Sequence, residues 1–156
     1  MWTNLIRVVG VVSIWLSLWG GYLLVSSLRQ EVAQPLNISD APYFRQVFLL
    51  MNAVDMVFLV LIVIASSGLL RLQKRAAQQY TWVYLALVVY AFAPGLFWGT
   101  GPLGRSIAAA SGVADMGVAP LLFKPVPFGY AITSVIVVHV AFRRLRLNSK
   151  RTVDSS

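Results

Sequence analysis

No cysteine occurs anywhere in the chain, and histidine occurs once, at position 139. Disulfide staples, thiolate metal centres and cysteine redox chemistry are therefore excluded. One imidazole without cysteine is too small a donor set for an ordinary zinc or haem site within one chain, so no cofactor and no metal site is expected. Acidic residues are almost as scarce, with only Glu31, Asp40, Asp55, Asp115 and Asp154 present. The chain carries no Ser-His-Asp set, no HExxH and no Walker loop. Its "GTGPLG" stretch (Gly99 to Gly104) has no strand before it and reads as a turn. No catalytic residue is expected, and an enzyme acting on lipid would have Asp55 as its only plausible acid.

Charge of either sign is thin. Only 12% of the 156 residues are charged, where a soluble domain carries about a quarter. Hydrophobic residues make up 58%, and the mean hydropathy is +0.75. They come in blocks, 8–28, 47–70, 81–99 and 125–142, which contain a single formal charge, Asp55. A helix needs roughly 20 residues to cross a hydrocarbon core. The pattern predicts an all-α membrane protein, one integral domain over 1–156, built as a four-span up-down bundle. The first block follows only Arg7 and exceeds the roughly 7–15 apolar residues of a secretory leader, so it is expected to be retained.

Basic residues predict the orientation. With both termini inside, nine lie on the inner side: Arg7, Arg71, Lys74, Arg75, Arg143, Arg144, Arg146, Lys150 and Arg151. Four lie outside: Arg29, Arg45, Arg105 and Lys124. Lys and Arg concentrate on the cytoplasmic side, so cytoplasmic termini follow, most naturally in a bacterial inner (plasma) membrane. The net charge of +8 comes largely from the tail 143–156, which abuts a span and lacks interleaved aromatics. It suits anionic lipid headgroups at the cytoplasmic face rather than nucleic acid.

Residues 100–124 are apolar enough to touch the membrane. The Ala-rich "SIAAAS" predicts a short interfacial helix between the third and fourth spans, with a re-entrant segment as the alternative. "APYFRQVF" at Ala41 and "APLLFKPVPF" at Ala119 echo each other. At a fixed offset of 79, Trp19-Gly20 meets Trp98-Gly99 and Phe44-Arg45 meets Phe123-Lys124. These matches suggest tandem duplication of a helical hairpin. Aromatics and cations also gather independently at an outer interface, which is the competing account.

Asp55 is the most informative residue. It lies roughly 12 Å below the outer edge of its block, where a carboxylate is costly and needs partners. Counting equal depth along the other spans reaches Tyr90, Thr133 and Ser134, and Asn52 sits one turn above Asp55 on the same face. Pro94 would free the carbonyl of Tyr90 by kinking its helix. These five form a candidate intramembrane polar site. It is either a neutral hydrogen-bonded pin between helices or a binding point for a proton, an ion or a polar solute. His139, near the inner interface, suits a packing or headgroup contact. Arg45, Lys124 and Trp98 form a candidate outer rim for anions or lipid. In the first span Ser13, Ser17 and Gly21 make a small-residue face for close helix approach, with Trp15, Trp19 and Tyr22 on the other side. The function expected is an accessory, assembly or interaction subunit, partnered by another membrane protein or its own copies. The alternative is small-ligand or proton transport, or sensing, through an outward-facing cavity centred on Asp55.

Overall fold

The structure, a computed structural model, describes residues 1–33, 42–73, 75–92, 101–114 and 125–154. Five helices and no strand occur among them: α1 (Trp2–Ala33), α2 (Phe44–Leu70), α3 (Ala76–Phe92), α4 (Gly101–Ala114) and α5 (Pro125–Asp154). Two of these, α1 and α2, are long and apolar enough to cross a membrane.

The helices outrun the apolar blocks at several ends. α1 begins at Trp2 and continues to Ala33, taking in Glu31, and α5 runs through the basic segment as far as Asp154. Apolar length follows from what must be shielded from water, whereas a helix ends where local capping stops it. α3 starts five residues ahead of the third block, at Ala76, and Pro94 lies outside the described residues. Proline opens two helices at low cost. Pro102 is the second residue of α4 and Pro125 the first of α5, positions whose N–H has no helical acceptor anyway.

α2 stops through a defined motif. The Leu72 N–H donates to the Leu69 carbonyl (3.0 Å), and the Gln73 N–H to the Gly68 carbonyl (3.1 Å). Leu72 takes the left-handed conformation this closure requires, with φ 54°. Glycine usually holds that position, and a side chain there costs about 1–2 kcal/mol. The result is a tight turn that delivers the chain into α3 within a few residues.

α1 and α2 pack antiparallel. Gly10 lies against Leu70 and Ser66, while Leu24 packs on Leu59 nearer the other end. α3 lies on α2, and α5 on both α1 and α3. The main core gathers Ile6, Val9, Ala65, Leu69, Tyr80 and Val138 from these four helices. A second cluster forms where Ala110 of α4 covers Phe44 and Phe48 at the start of α2. There the Ser106 hydroxyl accepts the Tyr43 N–H (3.1 Å) and donates to the Pro102 carbonyl (2.9 Å), pinning α4 to α2. The short "SIAAAS" helix therefore exists as part of α4.

This packing sorts charge. Arg7, Arg71, Arg75, Arg143 and Arg144 lie towards the end of the fold where α1 begins and α2 turns into α3. Arg29, Arg45 and Arg105 belong to the opposite end. Lys74, Asp40, Asp115 and Lys124 lie outside the described residues.

Candidate functional site

Asp55 stands on α2, one turn below Met51 and Asn52, and is 5% exposed. Its Oδ1 is buried and has no hydrogen-bond partner among the described residues. Tyr90 arrives from α3. Its ring lies on Phe58, with centroids 5.3 Å apart, and its hydroxyl reaches both the Met51 carbonyl (3.4 Å) and the Asp55 carboxyl. A phenol has one hydrogen to give, so Tyr90 serves one of these acceptors at a time. Asn52, also buried, donates its amide to the Phe48 carbonyl on its own helix (2.7 Å). The structure thus brings Asp55 and Tyr90 together, with Asn52 beside them engaged in its own helix.

Ser134 and Thr133 do not join that layer. Ser134 is buried at the level of Tyr80, whose hydroxyl donates to it at 3.0 Å. Tyr80 is ten residues before Tyr90, roughly 15 Å along the helix. Thr133 turns outward and is exposed. The depth count fails because α5 meets α1 at Val9 and Ser13 through Tyr130, while Asp55 lies nearer Leu24, Leu59 and Met56. α5 is displaced towards the basic end.

What the sequence reading missed is the layer to which Ser134 belongs. The Ser13 hydroxyl sits 2.8 Å from both Tyr80 and Tyr130, and Tyr130 donates to the Val9 carbonyl at 3.2 Å. Ser134 donates to the Ala131 carbonyl (3.0 Å). Four hydroxyls from α1, α3 and α5 form one chain that ends on backbone carbonyls. Tyr80 at its centre is 0% exposed, and its ring lies 4.6 Å from Tyr84. The small-residue face of α1 is consumed inside the chain in the same way. It runs through Gly10, Ser13, Ser17 and Gly20, all buried, with Gly21 towards Leu59. The signal that would have found Tyr80 is the spacing Ala76, Tyr80, Tyr84, Leu87, one helical face.

A third polar place lies between α3 and α5 near the basic end. A cleft of about 520 Å³ is lined by Gln78, Thr81 and Trp82 on one side and His139, Phe142 and Arg143 on the other. The Thr81 hydroxyl donates to the Ala77 carbonyl (2.8 Å). His139 Nδ1 lies 3.4 Å from the Thr81 hydroxyl oxygen, a contact whose donor is set by the imidazole tautomer. Directly beyond Thr81 the groove continues as an apolar hollow of about 280 Å³ between Leu85 and Val88 of α3 and Ile132 and Val135 of α5.

Of the expected outer rim, Arg45 is exposed at the start of α2, while Lys124 and Trp98 lie outside the described residues. Phe44, next to Arg45 in the chain, is buried against Phe48 and Ala110. No cluster of metal-binding side chains occurs among the described residues. Compared with known proteins, the chain matches no family model, no curated protein and no solved structure.

Proposed function

We propose that the chain is a four-span membrane protein with both termini on the cytoplasmic side of a bacterial plasma membrane, serving as an accessory or assembly subunit. The aromatic ladder of α1 carries this reading. Trp15 and Trp19 stack with centroids 6.3 Å apart, and Tyr22 continues the row at 5.7 Å. All three face away from the fold, at 61%, 46% and 65% exposure. They sit near the middle of a 32-residue helix. Tryptophan and tyrosine favour the membrane–water boundary and not the apolar midplane, so an outward row at mid-helix suits a protein neighbour better than acyl chains. The small face of α1 is already occupied within the chain, which leaves this row as the surface for a partner, another membrane protein or a second copy.

The membrane reading itself draws on exposed apolar surface. Only 28% of the most apolar stretch of α2 is buried, and Val57, Val60 and Ile64 point outward. A soluble domain does not leave so large an apolar face in water. The end-to-end sorting of arginines supports cytoplasmic termini.

The test replaces Trp15, Trp19 and Tyr22 together by leucine. Crosslinking in intact membranes, followed by mass measurement in mild detergent, should give a stoichiometric complex for the native chain and a monomer for the variant. A native chain that is monomeric in its own lipid rules the subunit role out.

A second reading rests on the buried, unpartnered Oδ1 of Asp55, which has capacity for a proton, an ion or a polar solute group. Asp55→Asn would then abolish a proton- or solute-dependent signal in reconstituted vesicles while the protein stays folded. Equal signals from the two proteins remove this alternative.

A further inference from the structure

The groove between α3 and α5 has the layout of an amphiphile. Its mouth near the basic end is polar: Arg143 brings a permanent charge, and Gln78, Trp82 and His139 bring N–H groups around the cleft of about 520 Å³. From Thr81, which borders both compartments, the groove runs away from that end as a nearly pure hydrocarbon surface of about 280 Å³. Thr81 to Val88 spans roughly 10 Å of helix, about two-thirds of one leaflet's apolar depth of roughly 15 Å. Arg144 stands exposed beside Arg143, and no acidic side chain lines either compartment.

We propose that this groove is a binding site for one anionic phospholipid of the inner leaflet, its phosphate among Arg143, His139 and Gln78 and an acyl chain along Leu85, Val88, Ile132 and Val135. The inference rests on the membrane reading above but not on the subunit role. The polar mouth and the apolar hollow meet end to end in the order a lipid requires. Charge complementarity selects an anionic headgroup over a zwitterionic one. The hollow selects a lipid over a free phosphate, which would use the mouth alone. Trp82, exposed at the mouth, sits where an indole suits the headgroup boundary.

The experiment uses the full chain in a mild non-ionic detergent. It is titrated separately with phosphatidylglycerol, phosphatidylcholine of the same acyl chains and inorganic phosphate, and bound species are counted by native mass spectrometry. One phosphatidylglycerol should be retained roughly tenfold more tightly than phosphatidylcholine, given the attraction of basic side chains for anionic headgroups. Arg143→Gln combined with His139→Gln should erase that preference, whereas Arg45→Gln, at the far end, should leave it intact. Ile132→Trp, which fills the hollow, should weaken retention of both lipids. These side chains are exposed, so helicity by circular dichroism should match the native chain in every variant.

Equal retention of the two lipids by the native chain overturns the proposal, as does a preference that survives the double substitution. Inorganic phosphate that competes as strongly as the lipid also overturns it, in favour of a soluble anion. A dimer in place of a lipid adduct assigns the groove to a second copy and overturns it too. Failure of the membrane reading looks different, because the chain would then remain monodisperse in buffer without detergent.

Discussion

Gly10 packs α1 tightly against α2, and a single methyl there tests whether that contact holds the fold. A Cβ at position 10 would stand 3.0 Å from Leu70 Cδ2 and 3.1 Å from the Ser66 carbonyl oxygen. Carbon atoms in ordinary contact lie about 3.5–4.0 Å apart. The tip of Leu70 can swing aside, but the Ser66 oxygen belongs to a helix backbone, so α1 must move. Overpacking of this kind costs about 1–3 kcal/mol. Against it stands the helix propensity gained on replacing glycine by alanine, about 1 kcal/mol. Gly21 supplies the control. It receives the same propensity gain, but its Cβ would meet only Leu59 Cδ1 at 3.9 Å, an ordinary contact. Subtracting the two variants cancels propensity and leaves the clash. Gly10→Ala should therefore be about 1–3 kcal/mol less stable than Gly21→Ala, measured by reversible unfolding in mixed micelles with circular dichroism as readout. Equal stability, or a more stable Gly10→Ala, would refute the packing described here.

Three other outcomes are expected. A double-mutant cycle over Ser13→Ala and Tyr80→Phe should give a coupling of about 0.6–1.7 kcal/mol, the range for hydroxyl bonds between membrane helices; strict additivity would mean the 2.8 Å contact contributes nothing. Ser106→Ala removes the acceptor of the Tyr43 N–H and should cost about 1 kcal/mol, with amide exchange at Tyr43 accelerated and the centre of α2 unaffected. Asp55→Asn keeps the shape of the side chain and removes an acid whose Oδ1 is buried without a partner, so stability should hold or rise; a loss above about 2 kcal/mol would show a carboxyl far better partnered than the geometry allows.

The proximity of Asp55 and Tyr90 was legible because α2 and α3 are joined by only a few residues around Leu72. A short turn fixes the register of neighbouring helices, and depth counting then works. It failed for Ser134 because α4 and the segment before Pro125 intervene, so no covalent link ties the depth of α5 to that of α2. Only side-chain packing sets it, and packing of this kind leaves no mark in a hydropathy trace. Tyr80 escaped for a related reason. It precedes the third apolar block by one residue and follows Gln78 and Gln79, so an apolar run counted from Thr81 leaves it at the boundary. The small-residue stripe of α1 was found but begins one turn lower, at Gly10, because glycine inside an apolar run looks like any other uncharged residue until a neighbouring backbone comes within reach of its Cα.

The two buried polar layers differ in a way that bears on what each is for. In the layer around Ser13 every hydroxyl hydrogen has an acceptor, and the chain of donors ends on the Val9 and Ala131 carbonyls. Such a layer has no spare hydrogen to offer a ligand. Its five contacts share four hydrogens, so Ser13 donates to Tyr80 or to Tyr130 but not to both at once. In the layer around Asp55 acceptors outnumber donors, since one Tyr90 hydrogen faces both the Met51 carbonyl and a carboxyl whose Oδ1 has no partner. A deficit of donors is a specific chemical demand: it is met by an arriving proton, a cation or an N–H from another chain, and not by an anion or a bare carbonyl. A helix docking along the side of α1 that carries Trp15 and Trp19 could contribute no such donor unless it also reached the α2–α3 face. The two proposed roles, subunit contact through α1 and binding at Asp55, would therefore make separate demands on separate surfaces, and loss of one on mutation should leave the other standing.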